Sequence, residues 1–121
     1  MKKTGVKSKE FSCIWKTMFL YALNYTPEQE KVYRQFYKTI SLLIPCKFCR
    51  YFIRDYLDVH YPLNFKNYKC LIKSLYVWKT QVNLKISKQS GKKIYNPTFK
   101  TVLNRYENLR ATCNAKKGKC I

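Results

Sequence analysis

The chain has 121 residues, 25 Lys and Arg against 6 Asp and Glu, and a formal net charge of +19. Apolar residues make up 46% and aromatic residues 17%, which is too much for a disordered basic tail. Only 3 Gly and 4 Pro are present, which excludes collagen-like and low-complexity proteins. We therefore expect one very basic globular domain with an aromatic-rich core.

The apolar stretches of the chain are short. The longest ones, residues 18–23 and 40–45, fall well below the roughly 18 apolar residues that cross a bilayer. The N-terminal segment is basic but has no apolar run after it, unlike a secretory signal. We therefore expect an intracellular protein without a membrane span.

The first two predicted helices lie before Pro45. Ser12 should cap a helix that runs to about Asn24 and buries Trp15, Met18, Phe19, Ala22 and Leu23. Residues 26–29 form a capping-box pattern for the second helix, which Pro45 ends. Its apolar residues recur at spacings of three and four and predict one buried stripe: Val32, Tyr33, Phe36, Tyr37, Ile40, Leu43 and Ile44.

Three further helices follow. The third is predicted from Cys46 to about Val59, before a break at residues 60–64 in which His60 is a solvated loop residue. The fourth runs over residues 67–87, with Leu71, Leu75, Trp78, Val82 and Ile86 inward, and Gly91 marks a loop. Asn96 and Pro97 should begin a fifth helix that ends near Arg110 and buries Phe99, Val102, Leu103, Tyr106 and Leu109.

The pattern predicts an all-α fold, a four-helix bundle plus a short fifth helix. The helical domain covers residues 1–110. Residues 111–121 are polar and Lys-rich and are predicted to be a flexible tail that carries cysteines.

Cys46 and Cys49 form a CxxC motif that follows Pro45 at the predicted start of the third helix. A helix N-terminus has free backbone N–H groups and a positive dipole end, and Lys47 and Arg50 add positive charge. One cysteine there should therefore form a thiolate readily. Two thiols three residues apart can also close into a disulfide, so the motif suits thiol–disulfide exchange.

The cysteines leave several interpretations open. A zinc site needs four ligands, for which Cys46, Cys49, Cys113 and Cys120 are the natural set, although the last two are loosely spaced. A thioredoxin-like site would need a strand before the CxxC, and none is predicted. Buried structural thiols are a further alternative. A redox site in a helical bundle, served by a cofactor and with the two tail cysteines as a second dithiol, is the favoured interpretation.

Other residues have structural interpretations beside functional ones. Trp15 and Trp78 would be core residues without the motif context. Cys70 is expected to be a small buried apolar residue, and Cys13 is either buried or paired with another chain. Asn83 lies on an inward face, where its amide needs polar partners that a cofactor could supply.

Three motifs follow one another along the chain: Trp15-x6-Ala22 in the first helix, Pro45-Cys46-x-x-Cys49 after the second, and Val82-Asn83-x-x-Ile86 in the fourth. Together they resemble the Erv/ALR family of FAD-linked sulfhydryl oxidases, above all its small single-domain members from large DNA viruses. The resemblance covers residues 11–106. It implies a helical bundle that binds FAD and forms a homodimer.

The resemblance also implies roles for single residues. Cys46 would exchange with the incoming dithiol, Cys49 would lie against the flavin, and Cys113 and Cys120 would be a shuttle pair. The FAD-binding positions would be Trp15, Phe19, Lys79, Val82, Asn83, Ile86 and Lys88. Phe19 and Lys79 stand where the family has histidines, and they could stack on adenine and reach a phosphate.

The function implied is FAD-dependent oxidation of thiols to disulfides, with electrons passing through the CxxC to flavin and then to O₂. Its partners would be client proteins with thiols, thioredoxin-like or virion proteins among them, in the host cytoplasm or the virion. The net charge of +19 adds nucleic acid as a partner through charge alone. The alternative is a basic helical module that binds nucleic acid or protein and whose cysteines are structural or hold zinc.

Overall fold

The computed structural model describes residues 8–111, 113–114 and 118–120, with side chains for residues 12–111. These parts of the chain are mostly helical, so the prediction of an all-α fold is confirmed. The elements are α1 Ser8–Ala22, a 3-10 turn Pro27–Gln29, α2 Glu30–Leu43, α3 Lys47–Phe52, a π turn Ile53–Leu57, α4 Asp58–His60, α5 Tyr68–Ser90 and α6 Phe99–Glu107. Within the described residues, no helix is long and apolar enough to cross a membrane.

The core lies between α1 and α5. Helix α5 packs against α1 and α6, and the π turn packs against α2 and α5. The inward residues predicted for α1 are all buried, and so are four of the five predicted for α5: Trp15, Met18, Phe19, Ala22, Leu23, Leu71, Leu75, Trp78 and Val82. Ile86, the fifth, is half-buried at the edge of the core. Helical periodicity therefore identifies both central faces.

The stripe predicted for α2 is only partly buried. Tyr37 and Ile44 belong to the core, but Val32 is 70% exposed and Leu43 is 72% exposed, so these two predictions are wrong. Each of the two immediately precedes an inward residue, Tyr33 or Ile44, and is therefore turned about 100° away from it on the helix. They lie on an edge of the stripe that the described part of the chain leaves exposed. The capping box at Thr26 is present, and it opens the 3-10 turn ahead of α2.

The third predicted helix is a continuous helical run over residues 47–60. Its bounds agree with the prediction to within about one residue, but a π turn interrupts it and buries Ile53 and Leu57. A hydrophobic pattern with a 3.6-residue period does not reveal such a turn, because it inserts a wider i→i+5 repeat. His60 is the last residue of α4 rather than part of the following loop, and its exposed ring lies 4.7 Å from that of Tyr56.

The starts of the first and last helices differ from their predictions. Helix α1 begins at Ser8, before the expected cap at Ser12. Helix α6 is capped by Thr98, whose hydroxyl accepts a hydrogen bond from the Thr101 N–H at 3.3 Å, so the predicted start at residues 96–97 is wrong. The Asn96 side chain, expected to act as the cap, has another partner: its Oδ1 accepts a hydrogen bond from the side-chain amide of Asn83 at 2.9 Å. Leu109 lies beyond the end of α6 and is 54% exposed rather than buried.

Three ion pairs join the described side chains, and an arginine forms each of them: Arg34 with Glu30, Arg54 with Asp55, and Arg110 with Glu107. Arg110 also donates to the Leu23 carbonyl at 2.7 Å and to the Asn24 side-chain oxygen at 3.1 Å. The chain after α6 is thereby tied to the end of α1.

In the tail, β1 Cys113–Asn114 pairs antiparallel with β2 Lys119–Cys120, and Cys113 lies opposite Cys120. The side chains of both cysteines lie outside the described residues. The prediction of a flexible tail stays a prediction.

Candidate functional site

One cavity brings most of the predicted site residues together. It has a volume of about 500 Å³ and is lined by α1, α3, the segment joining α2 to α3, α5 and residue 94 after α5. Its walls are largely apolar, with several polar groups and both CxxC cysteines: Ser12, Trp15, Cys46, Phe48, Cys49, Phe52, Lys79, Val82, Asn83, Lys85, Ile86, Gln89 and Ile94. We name it the CxxC cavity. Its volume is typical of small-molecule sites, which measure about 300 to 1,000 Å³.

Hydrogen bonds fix the CxxC at the start of α3. Cys46 is the N-cap residue, and its Sγ accepts a hydrogen bond from the Cys49 N–H at 3.3 Å. The Arg50 N–H donates to the Cys46 carbonyl at 3.0 Å, and the Arg50 guanidinium donates to the Ile44 carbonyl at 2.8 Å. Both cysteines are half-buried free thiols. Hydrogen bonds from the Cys49 N–H and from Arg50 therefore fix the turn that carries both cysteines.

The surroundings of the Cys49 thiol disfavour its charged form. Burial is the largest cause, and the hydrogen bond to Cys46 and the charge of Cys46 add to it, so that the pKa of Cys49 rises to about 12. Lys85 acts in the opposite direction. Its ammonium group lies 4.4 Å from the centre of the Phe52 ring, which also lines the cavity. At neutral pH, Cys49 is a protonated thiol.

The expectation that Lys47 and Arg50 promote a thiolate is wrong for Cys49. Arg50 is directed at the Ile44 carbonyl, and the Lys47 ammonium lies 5.9 Å from the centre of the Tyr51 ring. The cation that lowers the pKa of Cys49 is Lys85, which reaches the cavity from α5. Closeness along the chain was a poor guide because neighbouring residues on a helix point about 100° apart.

Alkylation of the reduced protein should separate Cys49 from the exposed Cys13. Iodoacetamide reacts with the thiolate, so a thiol with a pKa of about 12 should stay unmodified near neutral pH and become labelled only as the pH approaches that value. Peptide mapping by mass spectrometry measures the labelling of each cysteine. In Cys46→Ala, which removes the hydrogen-bond partner and the neighbouring charge, labelling of Cys49 should begin at lower pH. Equal labelling of Cys49 and Cys13 at neutral pH would contradict the assignment.

Five of the seven residues predicted to bind a cofactor line the CxxC cavity: Trp15, Lys79, Val82, Asn83 and Ile86. The other two do not line it. Phe19 is 1% exposed, stacks on Tyr106 with the ring centres 5.1 Å apart, and lines a smaller neighbouring cavity instead. Lys88 is exposed in the last turn of α5. The Asn83 amide has a partner within the protein, Asn96.

Several lining residues were not among the predicted cofactor-binding positions. Lys85 lies near the same downstream basic position of the motif as Lys88, but the role was assigned to Lys88, and it is Lys85 that lines the cavity. Gln89 lies three residues after Ile86, so continuing the same helical face along α5 could have found it. Phe48 lies within the CxxC itself and is 76% exposed, although it lines the cavity. Phe52 and Ile94 carried no signal in the sequence that distinguishes them from other apolar residues.

The other two cysteines with described side chains do not line the CxxC cavity. Cys13 is an exposed free thiol on α1, and Cys70 is a half-buried one in the first turn of α5. Among the residues with described side chains, no group of three or more His, Cys, Asp or Glu could hold a metal ion. Two members of the zinc set considered above, Cys113 and Cys120, fall outside that part of the chain.

Comparisons with known proteins identify no relative: no family model, no curated protein and no solved structure matches this chain. The function therefore has to be argued from the CxxC cavity.

Proposed function

We propose that this protein is an FAD-dependent sulfhydryl oxidase that forms disulfides in client proteins. The observation that supports the proposal most is the CxxC cavity, which has Cys46 and Cys49 on one wall and Val82 and Asn83 on another. Its helical frame would be a four-helix bundle of α1, α2, the run 47–60 and α5, with α6 as the short fifth helix.

The composition of the cavity walls suits a flavin. Trp15, Val82 and Ile86 supply apolar surface for a flat ring system, and Trp15 is only 5% exposed. Asn83 and Gln89 supply polar groups of the kind that recognise the edge of such a ring. A flavin held there would supply two-electron chemistry: it would take two electrons and two protons from the reduced cysteine pair and transfer them to O₂, giving hydrogen peroxide.

The exchange of sulfur bonds falls to Cys46 and Cys49. A substrate thiolate attacks Cys46 of the oxidised pair, the Cys46–Cys49 bond breaks, and Cys49 takes up the electron pair and a proton. The second substrate thiolate then attacks the sulfur of its own chain in the mixed disulfide, so the substrate leaves as a disulfide and Cys46 takes up the second proton. One substrate dithiol is oxidised and one CxxC disulfide is reduced. The high pKa of Cys49 means that proton uptake accompanies its release, with Lys85 as the nearby cation.

Flavin content and oxygen uptake test this proposal. We expect the purified protein to show a flavin absorption band, or to acquire one when FAD is added. It should then consume O₂ and release hydrogen peroxide when it is given dithiothreitol. Cys70→Ser, which changes a half-buried thiol outside the cavity, is the matched control and should remain active. A protein that binds no flavin, consumes no O₂ and contains zinc would instead support the basic binding module.

A further inference from the structure

A second cavity lies beside the CxxC cavity and shares two residues with it. Lys79 and Asn83 line both, and the second cavity continues between α5 and α6 to Arg105 and Tyr106. Its volume is about 50 Å³, which is too small for a nucleotide and suits one compact group. We name it the Lys79–Arg105 cavity. A ligand in the larger cavity could reach into it past Asn83.

Two positive charges line this small cavity without a negative one. Lys79 is half-buried on α5, and Arg105 is exposed on α6. The pKa of Lys79 is lowered, first by burial and then by the charge of Arg105. The cavity lining contains no Asp or Glu, and neither cation takes part in an ion pair among the described side chains.

Such a pair is unfavourable in the ligand-free protein, because like charges repel and the partial burial of Lys79 removes some of the water that would screen its charge. An anion between the two cations would reverse both effects. An arginine can bind phosphate through two parallel N–H groups, and a lysine adds a point charge. Thr80 also lines the cavity and provides a hydroxyl, beside the hydrogen-bonded side chains of Asn83 and Asn96.

We propose that Lys79 and Arg105 form a phosphate subsite for a dinucleotide whose ring system lies in the CxxC cavity. The identity of the ligand as FAD rests on the proposed function, whereas the anion subsite rests on the two cations. The sequence patterns did not identify Arg105 as a candidate site residue. It extends the binding surface from α5 to α6 and makes the site select flavin nucleotides that carry phosphate over free riboflavin.

Ligand affinities of the flavin-free protein test the subsite without any measurement of turnover. Lys79→Gln and Arg105→Gln should each weaken binding of FAD and of ADP by about 10- to 100-fold, the effect of losing one charge-assisted hydrogen bond. Binding of riboflavin, which has no phosphate, should stay unchanged. Lys100→Gln removes the same charge from the exposed surface of α6 and controls for the general attraction of anions to a chain of net charge +19. Absorbance titration and equilibrium dialysis at fixed salt concentration provide the dissociation constants.

The melting temperature provides a second test, because a purely structural role of the two cations predicts a different result. Removing one of two repelling charges should leave the melting temperature of the ligand-free protein unchanged or raise it, even though nucleotide affinity falls. If a Gln variant does not fold, Lys79→Arg and Arg105→Lys keep the charge and should keep ADP binding within about tenfold of wild type.

The possible outcomes distinguish the subsite proposal from the oxidase proposal. If wild-type protein binds FAD and both Gln variants bind it as tightly as Lys100→Gln does, the subsite is wrong and the oxidase proposal stands. If ADP binding depends on both cations while riboflavin does not bind and no O₂ is consumed, the subsite is supported and the oxidase proposal is wrong. Wild-type protein that binds neither ADP nor FAD would overturn the subsite.

Discussion

Cys49→Ser should abolish the oxidation of every thiol substrate and leave flavin binding intact. The change replaces one sulfur atom by oxygen in a side chain that lines the CxxC cavity, so the shape and polarity of the cavity hardly change. A hydroxyl cannot form the disulfide through which electrons must pass, so turnover should fall to the level of free flavin. Oxygen uptake with dithiothreitol and the flavin absorption of the same sample measure the two effects.

Cys46→Ser should also abolish turnover, because the Cys46–Cys49 disulfide cannot form. Unlike Cys49→Ser, it leaves Cys49 as a lone thiol. The hydrogen bond and the charge of Cys46 then no longer raise the pKa of Cys49, although burial still does. Cys13→Ser and Cys70→Ser, both outside the cavity, should retain the wild-type rate. Substantial oxidase activity in either CxxC variant would show that this pair is not the redox centre.

The double change Cys113→Ser and Cys120→Ser should slow the oxidation of a reduced protein client about tenfold or more while sparing dithiothreitol. A tethered dithiol meets the CxxC at an effective concentration of about millimolar, an advantage that a bulky client loses when the tail cysteines are removed. Dithiothreitol is small enough to reach Cys46 without help. The ratio of kcat/KM for the two substrates, measured in wild type and in the double variant, tests this role.

A structural role for the tail cysteines predicts the opposite pattern. Directly opposed residues in an antiparallel pair have Cα atoms about 4.5 to 5.5 Å apart, which lies within the range of disulfides, and Cys113 and Cys120 are so opposed. A disulfide that closes so short a loop stabilises the protein by about 2 kcal/mol in the chain-entropy model. A lower melting temperature with both activities unchanged would therefore assign the pair to stability.

The helices and the location of the CxxC could be predicted because they depend on local chemistry. The periodicity that buries Met18 and Leu75 is a property of each helix by itself, and Pro45 ends one helix before Cys46 begins the next. The motif at Val82 and Asn83 lies on α5, and the structure brings it to the same cavity as the CxxC.

What could not be predicted depends on neighbours that are distant in the sequence. Phe19 lies on a predicted helix and Lys88 directly follows one, but the exact rotation and length of those helices decide whether a side chain reaches the CxxC cavity. Lys85 acts on Cys49 because α5 passes alongside α3, which no spacing in the sequence reveals. The role of Arg105 likewise arises only where α5 and α6 come together.

Every ion pair among the described side chains involves an arginine, so the lysine charges of this protein do not contribute to the ion pairs that support its fold. None of the described lysines takes part in an ion pair, so neutralising them by acetylation would lower the net charge without breaking one. The affinity of the surface for polyanions could therefore be adjusted over a wide range by lysine modification, while the helices remained held together by apolar burial and by arginine. Lys79 is different, because it is half-buried near Arg105. Acetylation of Lys79 would therefore also alter the inside of the protein.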